Sequence, residues 1–399
     1  MMAGERVSSL PGQLEVPALG FGRWPAFRTL MVAGLLAGAL MAVATMLATG
    51  RSLRHIAVVV GAVVLTFVLL ALGTKAVTGQ ERLTQLHHQI AALAVVVTAL
   101  HVTGAPVLAT LDATALGAGL GIAVGRVGCL LAGCCHGRPA ARGIRYGPDH
   151  LALGFPSHLV GVVLVPVQVI ESLGLVAIVA AGFALVAGGA EPGTGVAFYL
   201  GSYAVLRFGM EILRGDEERP FAGGLSEAQW TSLALAAAVA GSGLGRIVPG
   251  RWWHAVPLAL VAAPAVWLVL RRRAPRLSSP AHVRELAELP GSAAEPATTS
   301  LGVRVSAGHA GGLAHYTISG VGRREAGVVA ELLVRLRHPG GTARVVDGRV
   351  GALHAVVEDS ADEVEVQAHR VEARRGAARG RATGADTEPD PGLEDHAAT

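Results

Sequence analysis

Charge is what this sequence has least of. Only 16% of its 399 residues are Asp, Glu, Lys or Arg, against about a quarter in soluble domains. The deficit is local: of the 33 basic and 29 acidic residues, positions 271–399 hold 34 and the first 270 positions hold 28. Aromatics are scarce too, at 4%. There is no basic stripe of the kind that tracks a nucleic acid, so no nucleic-acid partner is expected. No repeat recurs at a fixed period. No cleavable signal peptide is evident, because residues 1–28 are polar and dotted with Gly and Pro; the first apolar run, from about Leu30, is expected to act as an uncleaved anchor.

What remains is apolar and small. Hydrophobic residues make up 52% of the chain, largely Ala, Val and Leu, with 53 glycines beside them, and the mean hydropathy is +0.50. A bilayer span needs about 20 apolar residues. Eight runs qualify or nearly do: roughly 29–50, 55–73, 89–108, 111–131, 164–187, 194–213, 229–248 and 252–270. The expected fold class is therefore an all-α polytopic membrane protein of seven to eight transmembrane helices, with a small C-terminal soluble α+β or partly disordered tail. Gly117, Gly121 and Gly125 recur every four residues, a small-residue face that admits another helix backbone. The lone histidines His55, His101, His158 and His254 are expected at interfaces or in the core, and Trp252 and Trp253 in an aromatic belt.

The expected organisation is an N-terminal segment (1–28), a transmembrane domain (29–270), a linker (271–300), a possible soluble α+β domain (301–375) and a disordered tail (376–399). The long connection at about 132–163 is expected to fold back along the membrane surface. Within 301–375, Arg323–Arg337 reads as a helix, and Val345 to Val350 as a hairpin with an Asp-Gly turn. By the positive-inside rule, Arg271–Arg273 and the tail are expected on the cytoplasmic side.

Ionisable residues inside a membrane are costly, so each is a functional candidate. Three clusters stand out. The first runs from Gly125 to Pro139 and holds all three cysteines: Cys129, Cys134 and Cys135, followed by His136. Arg126 and Arg138 bracket this glycine-rich reversal, which suits a phosphate. A guanidinium binds phosphate bidentately, and glycines such as Gly137 let backbone N–H groups approach. The second cluster is Gln168 and Glu171, three apart on one helix face. The third is Tyr203, Arg207, Glu211 and Arg214. Arg207 and Glu211 can pair, which lowers the cost of burying either, and leaves the charge of Arg214 spare for an anion.

The order of these elements, completed by Gly224-Leu225-Ser226-Glu227-Ala228-Gln229-Trp230, resembles the prolipoprotein diacylglyceryl transferase family over about 110–249. The resemblance implies a multi-pass enzyme of the bacterial cytoplasmic (inner) membrane. Such an enzyme moves the diacylglyceryl group of phosphatidylglycerol onto the thiol of a prolipoprotein lipobox cysteine and releases glycerol phosphate. Its implied partners are phosphatidylglycerol, the lipobox peptide and membrane lipids, with no cofactor and no metal. By the same resemblance Arg126, Arg207 and Glu211 are catalytic, with His88 or His87 upstream as a base. Gly137, Arg138, Gln168, Glu171, Tyr203 and Arg214 are expected to bind substrate.

The chain also departs from that pattern. Cys129 stands in place of Asn, Cys134 in place of Glu, and Cys135 and His136 in place of an apolar-aromatic pair. Ile170 replaces a usual Tyr, and the family's upstream His-Gly-Gly stretch is missing. The substituted positions leave other readings open: a zinc site made by Cys129, Cys134, Cys135 and His136, a disulfide from Cys129 to Cys134 or Cys135, or a lipid-binding or transporter-like membrane scaffold without transferase activity.

Overall fold

The computed structural model describes residues 13–358 apart from 22–23, 79–84, 217–218, 220, 271–273, 290–292, 311–312, 340–342 and 349–351. In chain order the strands and helices are β1 (Gln13–Val16), β2 (Gly20–Phe21), β3 (Trp24–Pro25), α1 (Ala26–Ala48), α2 (Leu53–Thr78), α3 (Gln85–Val102), α4 (Val107–Ala132) and β4 (Pro139–Tyr146). They continue as α5 (Val167–Ala187), α6 (Thr194–Leu213), β5 (Phe221–Ala222), β6 (Leu225–Ser226), α7 (Glu227–Leu244), α8 (Ala255–Leu270) and α9 (Ala274–Leu277). The last are α10 (Pro280–Glu288), β7 (Ala293–Thr298), β8 (Arg304–Ala310), β9 (Leu313–Ser319), α11 (Arg323–Arg337), β10 (Ala343–Asp347) and β11 (Leu353–Glu358).

The chain forms two units. The first to consider, residues 19–138 and 165–276, is helical. Five of its helical segments are long and apolar enough to cross a membrane: α1, α4, α5, α6 and Trp252–Leu270, which contains α8. Helices α2, α3 and α7 are further helices of this unit. Large apolar side chains such as Leu36 and Leu40 on α1, Leu173 on α5 and Leu260 on α8 face outward. A surface of that kind suits lipid better than water.

Helices α1 and α4 meet backbone to backbone. A Cβ on Gly34 would stand 2.6 Å from the Gly121 carbonyl oxygen, and one on Gly38 would stand 2.5 Å from that of Gly117. The four-residue glycine spacing on α4 is thus matched by Gly34 and Gly38 on α1. Helix α4 packs its other side on α5 and α6 through Leu116, Ala123, Leu175, Val179 and Tyr199. It also reaches α6 through Asp112, whose carboxylate accepts from the Gly193 and Val196 N–H groups at 2.9 and 2.8 Å. Those donors are unmet at a helix N-terminus, where negative charge is favoured.

The Ser226-Glu227-Ala228-Gln229 stretch starts α7 with a capping box. Ser226 Oγ accepts from the Gln229 N–H, and Gln229 Oε1 accepts from the Ser226 N–H. The fourth element of the family-like pattern is therefore a helix start, with Trp230 Nε1–H donating to the Ala222 carbonyl at 3.0 Å.

The second unit joins β1 and residues 139–164 to the C-terminal part of the chain. Its sheet is antiparallel, in the order β10-β11-β9-β8-β7. Ala314, Tyr316 and Ile318 point inward from β9, and Val329, Ala330 and Leu333 are buried from α11. The helix expected over Arg323–Arg337 is α11, and Asp347 ends β10 ahead of its antiparallel partner β11. Two expectations change. The 271–300 stretch, read as a linker, holds α10 and β7, because Val283 and Leu286 supply a buried face. The 132–163 connection contains β4, which pairs in parallel with β1. Arg335 donates to the Pro139 carbonyl and Arg145 to that of Pro339, which ties β4 to this unit. The tail expected at 376–399 lies outside the described residues.

Candidate functional site

Helix α4 stops at Gly133, which takes a left-handed conformation at φ 75°. Cys135 follows at φ 53°, a region that costs a residue with a Cβ about 1–2 kcal/mol. The chain after this turn is fastened on both sides. The Arg138 N–H donates to the Leu213 carbonyl and the Gly215 N–H to that of His136, each at 2.9 Å, which makes a short bridge to the end of α6. On the other side, the Val165 N–H donates to the Arg138 carbonyl at 3.0 Å. Gln168, at the start of α5, donates to the Cys134 carbonyl at 2.9 Å.

The fit explains two glycines. A Cβ on Gly137 would collide with the Val165 carbonyl oxygen and lie 2.8 Å from the Val165 Cβ; one on Gly215 would lie 2.6 Å from the Gly137 oxygen. Gly137, expected to bind substrate, is required first by this packing.

Two sets of buried charge flank the turn. Arg126 on α4 meets Glu171 on α5, Nε to Oε2 at 3.0 Å. Both are almost wholly buried, at 8% and 1% exposure. On and after α6, Glu211 receives Arg207 at 3.0 Å, Arg214 at 3.5 Å and Arg219 at 2.8 Å. Arg214 is also held by both oxygens of Asp216, at 2.8 and 2.5 Å. The charge on Arg214 that looked spare is therefore committed to Asp216. Asp216 and Arg219 went unnoticed in the sequence. Their signal was an acid two residues past Arg214 and a base three further on, just beyond a charged helical stripe.

The two sets belong to one region. Tyr203 stacks on Tyr199 with ring centroids 5.8 Å apart and lies within electrostatic reach of Arg126, Glu171 and Arg207. Cys135 lies within reach of both Arg126 and Arg214. Of the sequence-derived candidates, the structure thus brings together Arg126, Cys129, Cys134, Cys135, His136, Gly137, Arg138, Gln168, Glu171, Tyr203, Arg207, Glu211 and Arg214. His88 falls on α3, and its side chain, like that of His87, lies outside the described residues.

The three cysteines are free. Hydrogen bonds from Cys129 and Cys134 hold the Cys135 thiol far below the usual thiol range despite its burial, helped by Arg214 and Arg126. Its hydrogen bonds to Cys129 and Cys135 push the Cys134 thiol up. Burial lowers His136, which favours the neutral imidazole; one ring nitrogen is 3.1 Å from the Gly137 carbonyl.

The arrangement can hold an anion. A guanidinium carries five N–H donors on three nitrogens. Glu171 faces Arg126 through Nε, Tyr203 hydrogen-bonds to Arg126, and Glu211 faces Arg207 through Nη1; these contacts among the described residues do not fill either fork.

Comparison with known proteins points to this same region. Residues 88–243 match the model of the prolipoprotein diacylglyceryl transferase family, and every candidate residue above except His87 falls inside that match. The phosphatidylglycerol–prolipoprotein diacylglyceryl transferase of Dehalococcoides mccartyi is 34% identical over 127 residues, which cover 32% of this chain and 47% of that protein. The chain thus resembles the family from α3 through α7, and its aligned part spans about half the length of the curated relative it matches.

Proposed function

We propose that this protein is a multi-pass enzyme of the bacterial cytoplasmic membrane that transfers the diacylglyceryl group of phosphatidylglycerol to the lipobox cysteine thiol of a prolipoprotein. The observation that carries this reading is the pair of arginines, the buried Arg126 and the half-buried Arg207, on neighbouring helices inside the family match. Burying guanidinium groups in a lipid-facing bundle is costly. Glu171 and Glu211 reduce that cost and hold each fork in place, while donors remain for a phosphodiester.

The chemistry needs little else from the protein. The acceptor thiol gives up its proton, its sulfur forms a bond to the terminal glyceryl carbon, and the bond from that carbon to the phosphate oxygen breaks. The electron pair leaves on the phosphate as glycerol phosphate. Preorganised positive charge at that oxygen stabilises the transition state and is worth several kcal/mol. Gly137 and Arg138 close the turn beside it, Gln168 anchors the turn to α5, and Tyr203 borders both arginines. Helices α2, α3 and α7 would complete an eight-span bundle around this site, with His88 on α3 as the candidate base.

The test is release of labelled glycerol phosphate from phosphatidylglycerol by the purified chain with a lipobox peptide. It is paired with expression in cells depleted of their own transferase. Peptide-dependent release with lipidation of the peptide is expected. Phosphatidylglycerol binding without release from either preparation would overturn the enzyme and leave the lipid-binding protein that the substituted cysteines also allow.

A further inference from the structure

The three cysteines form a cluster that the arginine chemistry leaves unused. Their Sγ atoms all lie within 4.8 Å of one another, and no other cysteine exists in the chain. We propose that Cys129, Cys134 and Cys135 form a tris-thiolate site for one thiophilic divalent metal ion of the zinc class, with its fourth position open to an outside thiol.

The geometry fits a metal better than a disulfide. Zinc–sulfur bonds are about 2.3 Å, so three sulfurs on one ion stand roughly 3.8–4.0 Å apart. The cluster needs to contract by less than about an ångström to reach that arrangement. A disulfide would use two of the sulfurs and strand the third beside it. Adjacent residues in regular backbone ordinarily point their side chains apart. The left-handed conformation of Cys135 brings its sulfur back to the side of Cys134.

The surroundings suit an ion as well. Three thiolates on a divalent ion leave one negative charge, and both Arg126 and Arg214 lie within electrostatic reach of Cys135. Cys134 is exposed, which gives the ion an entry path. Three protein ligands and an open position define a reactive zinc site, whereas closed sites carry four. A thiol that takes the open position is deprotonated on binding. This last part rests on the transfer reading: the outside thiol would be the acceptor cysteine, held as a thiolate beside the arginines that take the phosphate.

Cobalt(II) is the probe. The full chain is purified in detergent, reduced, stripped of metal and titrated, with sulfur-to-cobalt charge-transfer absorbance and free thiols both read. The expected result is saturation at one cobalt per chain, all three thiols protected, and release of the cobalt by zinc. Cys134→Ser, at the exposed position, should lose stoichiometric binding and remain folded by thermal melt. Adding N-acetylcysteine amide should raise the charge-transfer band by about a third, as three sulfur ligands become four. No saturable band, or an unchanged titration in Cys134→Ser, would each overturn the site. Cobalt bound on three thiols but indifferent to the added thiol would overturn the open position. None of these readouts depends on lipid transfer, so the site and the enzyme reading can fail separately.

Discussion

Glu171 closes on Arg126 at 3.0 Å, from a different helix, with 1% of its surface exposed. Removing either leaves the other's charge buried without its ion-pair partner. Breaking such a pair typically costs 3–5 kcal/mol, about as much as a modest domain can lose.

That relationship separates stability from chemistry at the arginines. Arg126→Ala and Arg207→Ala are each expected to abolish glycerol phosphate release. Arg126→Lys and Arg207→Lys should rescue poorly, because lysine keeps the charge and loses the planar fork. Glu171→Gln is the comparison: it removes the charge partner and keeps the shape. The thermal midpoint of Glu171→Gln should fall, and lipid release should fall less than in either alanine variant. Unimpaired turnover by Arg126→Ala or Arg207→Ala would remove the phosphate role.

Gly137 gives a steric prediction. Gly137→Ala drives a Cβ into the Val165 carbonyl and should destabilise by about 1–3 kcal/mol, as overpacking does. Gly209→Ala on α6 meets nothing within 4 Å. It should be neutral or stabilise by up to about 1 kcal/mol, through helix propensity. A Gly137→Ala protein that melts and turns over like the parent would mean that this turn is looser than its hydrogen bonds indicate.

The thiols yield a pH dependence in metal-free, reduced protein. Cys135 is held low and Cys134 is pushed up, so the thiolate of the cluster belongs to Cys135. Maleimide labelling of Cys135 should change little between about pH 6 and 8, whereas a free thiol with a pKa near 8.5 gains reactivity steadily over that range. Cys134 should label more slowly although it is exposed. Phosphatidylglycerol should slow labelling at Cys135. A rate at Cys135 that climbs with pH like that of an ordinary thiol would contradict the assignment.

Truncation tests the two units. Deleting 272–399 should leave the helical unit inserted and with its own thermal transition. It also removes Arg335 and Pro339, which hydrogen-bond to Pro139 and Arg145. Residues 139–164, with the fully buried Tyr146 and Leu164, should then become sensitive to protease. Loss of the helical transition would show that the two units do not fold independently.

The sequence carried the strongly periodic parts of this structure well. Runs of Ala, Val and Leu long enough to span located α1, α4, α5, α6 and α8 to within a few residues, and the helix read over Arg323–Arg337 is α11. The arginines and the pairing of Arg207 with Glu211 were readable because helical spacing places them on one face. Contacts that depend on tertiary closure were not readable. Asp112 looks like an isolated acid in a span until α6 brings its N-terminus to it. Asp216 lies past the helix end, where spacing no longer predicts neighbours, so its claim on Arg214 was invisible. The parallel pairing of β1 with β4 joins residues more than a hundred positions apart, and no local pattern announces it.

The glycine contacts between α1 and α4 act on Arg126 from a distance. With backbones touching at Gly34, Gly38, Gly117 and Gly121, α4 can neither roll about its axis nor slide along it without forcing a carbonyl into a Cα. Arg126 comes one residue after Gly125, on the same rigid rod. The bearing at which its guanidinium leaves the helix is indexed from these glycines, none of which carries a functional group. A single added methyl there would therefore register as a misaimed arginine in a protein that is still folded, and such a lesion would be traced to α1 only by looking at the face turned away from the chemistry.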